Sequence, residues 1–141
     1  MQDFHKLRAW NEAHRLALAI KRITSRFPKV DYGTLRNQMV RAAESIADNI
    51  AEGCGAATNA EFARYLDMAI KSSSELESQI ERAHGYGPSR DREHEGLATL
   101  VRDTRKMTWG LRKKVLADSP HPSDGQRTMG RDNEQRIREN G

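Results

Sequence analysis

Apolar residues recur at intervals of three and four through four stretches of this chain, and glycine or proline follows each of the first three. In the first stretch, Leu7, Trp10, Ala13, Ala17, Ile20 and Thr24 share one face of a helix expected from about Asp3 to Arg26, which Pro28 stops. The link Phe27 to Gly33 carries Pro, Asp and Gly, which places the cap of a second helix at Thr34. Leu35, Met39, Ala42, Ala43, Ile46 and Ile50 form its stripe, and Gly53 and Gly55 are its natural stops. The third helix opens on Thr58-Asn-Ala-Glu61, in which a hydroxyl and a carboxylate can satisfy free amides of the first turn. Its inner positions Phe62, Leu66, Ala69, Ser73, Leu76, Ile80 and Ala83 alternate by four and three, the seam of bundle packing. Gly85, Gly87 and Pro88 end it, and Ser89 is placed to cap a fourth helix whose face is Leu97, Leu100, Val101, Thr104, Thr108, Leu111 and Val115.

Four such helices joined by short links predict an all-α fold, an antiparallel up-down-up-down four-helix bundle over residues 1–117. From Asp118 the composition changes to Ser, Pro, Gly, Asp, Asn and Arg, with Met129 and Ile137 the only sizeable apolar side chains, so residues 118–141 are expected to be a disordered polar tail. At 141 residues the chain can bury a core without disulfides or metal, and its four prolines and few β-branched residues argue against strands. No run approaches a membrane span or a signal peptide, and the lone Cys54 excludes an internal disulfide. The expectation is a soluble, cytoplasmic protein with no membrane contact.

Charge refines this picture. The formal net charge is +4, but it is unevenly spread: residues 1–30 carry +5 and 87–117 carry +4, while 31–57 and 58–86 carry −2 each and the tail −1. First and fourth helices are neighbours in an up-down bundle, so their positive charge can merge into one face suited to a polyanion. Arg8, Arg15 and Arg22 are spaced by sevens and Arg26 follows by four, one exposed line extending roughly 27 Å at the helical rise. On the fourth helix, Arg102, Arg105, Lys106, Arg112 and Lys113 surround Trp109 at helical spacing. Cations supply salt-sensitive affinity for phosphates and an exposed indole supplies a stacking surface for an unpaired base, which favours RNA or single strands over duplex. The same pattern also describes a solvated face with an aromatic oligomer contact, and the sequence weighs the two equally.

Beside its apolar stripe the second helix carries a polar ridge, Gln38, Arg41, Ser45, Asn49 and Glu52, and the third carries Ser72, Glu75 and Gln79 on the corresponding flank. Like flanks meet in antiparallel helices, so Arg41 is expected to pair with Glu75 in a half-buried contact that sets register, with Gln38 and Ser72 close by. A ligand or partner site is the rival reading of this ridge.

The run Gln38, Arg41, Ala42, Ser45, Ile46, Asn49, Ile50, Ala51, Glu52 and Gly53 resembles the hallmark of the four-helix-bundle family encoded in intervening sequences of bacterial large-subunit ribosomal RNA. Phe4, Leu7 and Trp10, Phe27-Pro28, Glu61-Phe62, Tyr65-Leu66, Ser72 with Glu75, and Met107 with Gly110 and Leu111 extend the resemblance over residues 4 to about 116. Lys71 departs from it, since relatives often have Gly there. The resemblance implies an antiparallel bundle assembling into a ring-like homopentamer. It also implies kinship with the accessory protein of diversity-generating retroelements, which binds a reverse transcriptase and nucleic acid.

Catalytic chemistry finds little support. Glu81-x-x-His84 and Asp91-x-x-His94 can converge near one turn, but they lie at helix ends and not in a bundle core where a di-metal site is built. Cys54 has no histidine placed beside it, His14 is expected to be a hydrogen-bonded core residue, and there is no phosphate-binding glycine loop. The sequence therefore points to a non-enzymatic, cofactor-free accessory protein that binds nucleic acid. A protein-interaction scaffold is the alternative.

Overall fold

A computed structural model of the chain describes residues 3–118. The expected tail lies outside these residues except for Asp118, which caps the last helix. A 3-10 turn, Phe4–Lys6, precedes four helices: α1 Arg8–Thr24, α2 Lys29–Cys54, α3 Asn59–Tyr86 and α4 Asp91–Ala117. Each helix packs on the next and α1 also packs on α4. The register is antiparallel throughout: Ser45 meets Ser72 between α2 and α3, Glu77 meets Arg105 between α3 and α4, and Arg26 meets Glu93 where α1 ends and α4 begins. This is the up-down-up-down four-helix bundle.

The helix ends differ from the expected ones for local reasons. Asp3 starts the 3-10 turn, not α1, its carboxylate accepting from the His5 amide at 3.0 Å, and extended Leu7 separates the two. α1 stops at Thr24 because the residues before Pro28 turn, and α2 then begins directly at Lys29. Thr34 is therefore no cap: the Pro28 carbonyl accepts from Tyr32 at 2.9 Å and Asp31 faces the positive helix end, so Gly33 is carried inside the helix. Thr58 does cap α3, accepting from the Glu61 amide at 3.1 Å. Glu61 reaches back to the Ala57 amide at 3.4 Å, one residue earlier than a capping box requires. α3 runs through Gly85 and ends at Gly87, whose φ of 111° is the left-handed value that glycine adopts without strain. Arg90, not Ser89, precedes α4; its amide donates to Glu93 at 3.1 Å while Ser89 is buried.

Every stripe position expected on α2 and α3 is buried. On α1 the inner face is rotated: Ala9, Leu16 and Ala19 are buried beside Ala13, Ile20 and Thr24, while Leu7, Trp10 and Ala17 are only partly covered. Polar residues in the seam are satisfied locally. Thr24, Thr104 and Thr108 each donate to the carbonyl four residues back, at 2.7, 2.8 and 2.8 Å, and Ser73 donates to Ile70 at 2.6 Å.

Candidate nucleic-acid interface

Arg8, Arg15 and Arg22 all stand exposed on α1, and Arg26 extends the line beyond the helix into the turn. Both ends of the line border α4, since Arg8 lines a groove with Met107 and Leu111 and Arg26 bonds Glu93 at 2.7 Å. Arg15 is held by Glu12 at 2.9 Å. Arg8 and Arg22 have no acidic partner among the described residues.

The α4 cluster is less uniformly basic than its sequence suggests, because α3 supplies carboxylates along the shared flank. Glu77 takes Arg105 at 2.7 Å and Arg102 at 3.6 Å, and Asp67 takes Arg112. Lys106 and Lys113 remain exposed and without an acidic partner among the described residues. Trp109 is 50% exposed, outside the seam formed by Thr104, Thr108 and Val115, with the Arg112 guanidinium 5.5 Å from its ring centroid. The Arg105 and Glu77 side chains are half-buried, as is Arg112, so these pairs hold the arginines on the α3 flank and leave Lys106 and Lys113 as the cations of the cluster without a carboxylate among the described residues.

The two basic helices meet where α1 starts and α4 ends. Lys6, Arg8 and Lys114 rim a groove of about 360 Å³ whose floor is Leu7, Ala9, Met107 and Leu111. The sequence pattern does not single out Lys6 and Lys114. Only segment charge points to them, because their place beside Arg8 depends on how α1 and α4 pack.

The ridge on α2 meets its counterpart on α3 as expected, but through hydroxyls. Ser45 and Ser72 share a hydrogen bond of 2.9 Å, and the Asn49 side-chain Nδ2 donates to the Ser45 carbonyl at 2.8 Å and to its hydroxyl at 3.1 Å. The expected Arg41–Glu75 pair is not formed. Both side chains are exposed, and they line, with Gln38, Ser45 and Ser72, an open hollow of about 540 Å³. The reason is packing: small Ala42, Ser45 and Ser72 bring the helices together, leaving the long side chains splayed on the rim. Glu52 lines a neighbouring hollow of about 720 Å³ with Asp48, Glu61 and Tyr65. Gln79 is buried, and its Oε1 finds no partner among the described residues.

His14 is exposed, not a core residue; the rotation of α1 turns it outward, stacked on Trp10 with centroids 4.8 Å apart. The two histidine and carboxylate motifs do converge at the α3–α4 turn, with partners exchanged between helices. His84 bonds Asp91 at 2.7 Å, His94 bonds Glu81 at 3.0 Å, and the imidazoles stack at 4.1 Å. Among the described residues no three metal-ligating side chains group so as to hold an ion. Cys54 is buried, and burial pushes its thiol above the ordinary range. No helix among the described residues is long and apolar enough to cross a membrane.

Comparison with known proteins places this geometry. The sequence profile described as 23S rRNA-intervening sequence protein matches residues 5–110. A crystal structure of a protein of unknown function from the S23 ribosomal protein family of Bacteroides thetaiotaomicron VPI-5482 superposes with a TM-score of 0.68 at 20% identity, covering 74% of this chain and 98% of that one. At that identity the likeness is one of fold. No match was found among curated proteins.

Proposed function

The chain belongs to the family of 23S rRNA-intervening sequence proteins, and from that premise we propose that it is a non-enzymatic, oligomeric accessory protein that binds nucleic acid through the exposed cations of α1 and α4. The observation that carries this reading is the seam at which Lys6, Arg8 and Lys114 come together, continuing into Arg22 on one helix and Lys106 and Lys113 on the other, none of which has an acidic partner among the described residues. Acidic side chains of α3 neutralise only the flank of α4 that faces them. Lys106 and Lys113 stand exposed beyond that flank. RNA or single strands are the favoured ligands, a ring-like homopentamer would repeat the surface around its axis, and a reverse transcriptase is the protein partner that the family resemblance suggests.

Fluorescence anisotropy with structured RNA, single strands and duplex across a salt series tests this. Replacing Arg8, Arg22, Lys106 and Lys113 together by alanine should weaken binding to all sequences and flatten the logarithmic salt dependence by up to about 0.7 for each single-strand phosphate no longer neutralised. Unchanged affinity in that variant would overturn the assigned surface. A second reading, a protein-interaction scaffold, rests on the open hollow between α2 and α3, where Arg41 and Glu75 are left unpaired with each other. Recovery of one defined partner after nuclease treatment, abolished by Arg41→Ala with Glu75→Ala, would favour it.

A further inference from the structure

We propose that Trp109 is the platform for one unpaired nucleobase, with the phosphates on either side of that nucleotide taken by Lys106 and Lys113. This deepens the reading above and rests on it. The indole is half exposed although the bundle core is complete without it, and its position is held: Arg112, tied to Asp67 of α3, sets its guanidinium 5.5 Å from the ring centroid. That arginine lies one turn C-terminal to the tryptophan. On the N-terminal side a hollow of about 390 Å³ opens, lined by the indole with Thr99, Arg102, Asp103, Arg105 and Lys106. Glu77 fixes the two arginines at 3.6 and 2.7 Å, so the walls are ordered before a ligand arrives. One Arg105 nitrogen, Nη1, is buried without a partner among the described residues.

Charge decides which part of a nucleotide enters. Asp103 on the wall and Glu77 behind the arginines offset two of the three cations that line the hollow, so a neutral base is accepted there and Lys106 is left as its one cation without a carboxylate among the described residues. Lys106 and Lys113 flank the indole at three residues before and four after, about 10 Å apart along the helix, and neither has an acidic partner among the described residues. A base stacked on the ring thus leaves its two phosphates beside separate ammonium groups. Paired bases are excluded, because a duplex stacks both faces of each base on its neighbours.

In a Trp10→Phe background Trp109 is the sole tryptophan fluorophore, and a mixed-sequence 12-mer should quench it as RNA or as single-stranded DNA, while the matching duplex should not. Trp109→Ala should weaken single-strand binding by about ten- to a hundred-fold and Trp109→Phe by much less. An abasic 12-mer, with every phosphate and no base, should bind the wild type as weakly as the intact strand binds Trp109→Ala. Equal binding of abasic and intact strands, or unchanged affinity in Trp109→Ala while the four-cation variant fails, overturns this inference alone. So does loss of self-association in Trp109→Ala by sedimentation velocity, which would make the indole an assembly contact. No binding of any nucleic acid at low salt overturns the parent reading and this one together.

Discussion

Gly53 and Gly33 lie in the same helix, yet replacing each by alanine should move stability in opposite directions. A Cβ at position 53 would stand 2.6 Å from Phe62 Cδ1, 3.0 Å from its Cε1 and 3.1 Å from Tyr65 Cβ. The ring cannot swing aside freely, since Phe62 is only 7% exposed and belongs to the core. Overpacking of this kind costs about 1–3 kcal/mol, and alanine recovers about 1 kcal/mol through its better helix propensity, leaving a net loss near 1 kcal/mol. A Cβ at position 33 would meet no atom within 4 Å among the described residues apart from its chain neighbours and its own helix backbone, so the propensity gain stands alone at about 0.4–1 kcal/mol. The two variants should therefore differ by about 1.5–2 kcal/mol, a separation of roughly 6 °C or more in Tm. Circular dichroism melts and urea titrations at one fixed protein concentration measure this. A Gly53→Ala protein as stable as Gly33→Ala would refute the argument that close approach of α3 excludes a side chain at 53. The cycle with Phe62→Leu is a sharper version: that substitution should cost less in the Gly53→Ala background than alone.

Three further outcomes follow from the same structure. Thr58→Ala should lower stability by about 1 kcal/mol through loss of the α3 cap, and Thr58→Asp should restore most of it; equal melts for Ala and Asp would argue against the cap. Ser45→Ala and Ser72→Ala should each destabilise by about 1 kcal/mol, with the double variant costing clearly less than their sum, because either alone strands a part-buried hydroxyl; strict additivity would mean the hydroxyls do not couple. The Cys54 thiol, pushed up first by burial and then by Asp3, should label slowly with a disulfide reagent in native protein and rapidly in denaturant. Since the folded thiol holds its proton at higher pH than the unfolded one, its contribution is complete below the ordinary value of 9.0 and falls as pH rises past it, so fast native labelling at pH 8 would contradict the assignment.

The fold is legible where information is local. On α2 and α3 the four-three alternation identifies the buried face, because a long helix with large aliphatic side chains has one energetically acceptable orientation. α1 is harder, since its alanines at 9, 13, 17 and 19 mark no single face and the bulky Trp10 draws the expected stripe toward itself. That one rotation also misplaces His14. Helix ends are misjudged when glycine is read as a stop: Gly33 and Gly85 lie inside α2 and α3, because glycine lowers helix propensity by only about 1 kcal/mol, which the packing of a long helix overrides.

By itself the sequence determined the four helices, their antiparallel succession, the family and the net sign of each helix, all of which depend on residue type and spacing along one segment. Tertiary structure alone decided which cations remain free. Glu77 and Asp67 reach Arg102, Arg105 and Arg112 across 25 to 45 positions of chain, while Arg41 and Glu75, well matched in charge, stay apart. Periodicity tells which face of a helix turns inward, but the pairing of flanks depends on the rotation and register of neighbours. Those are set by how the small residues between them pack.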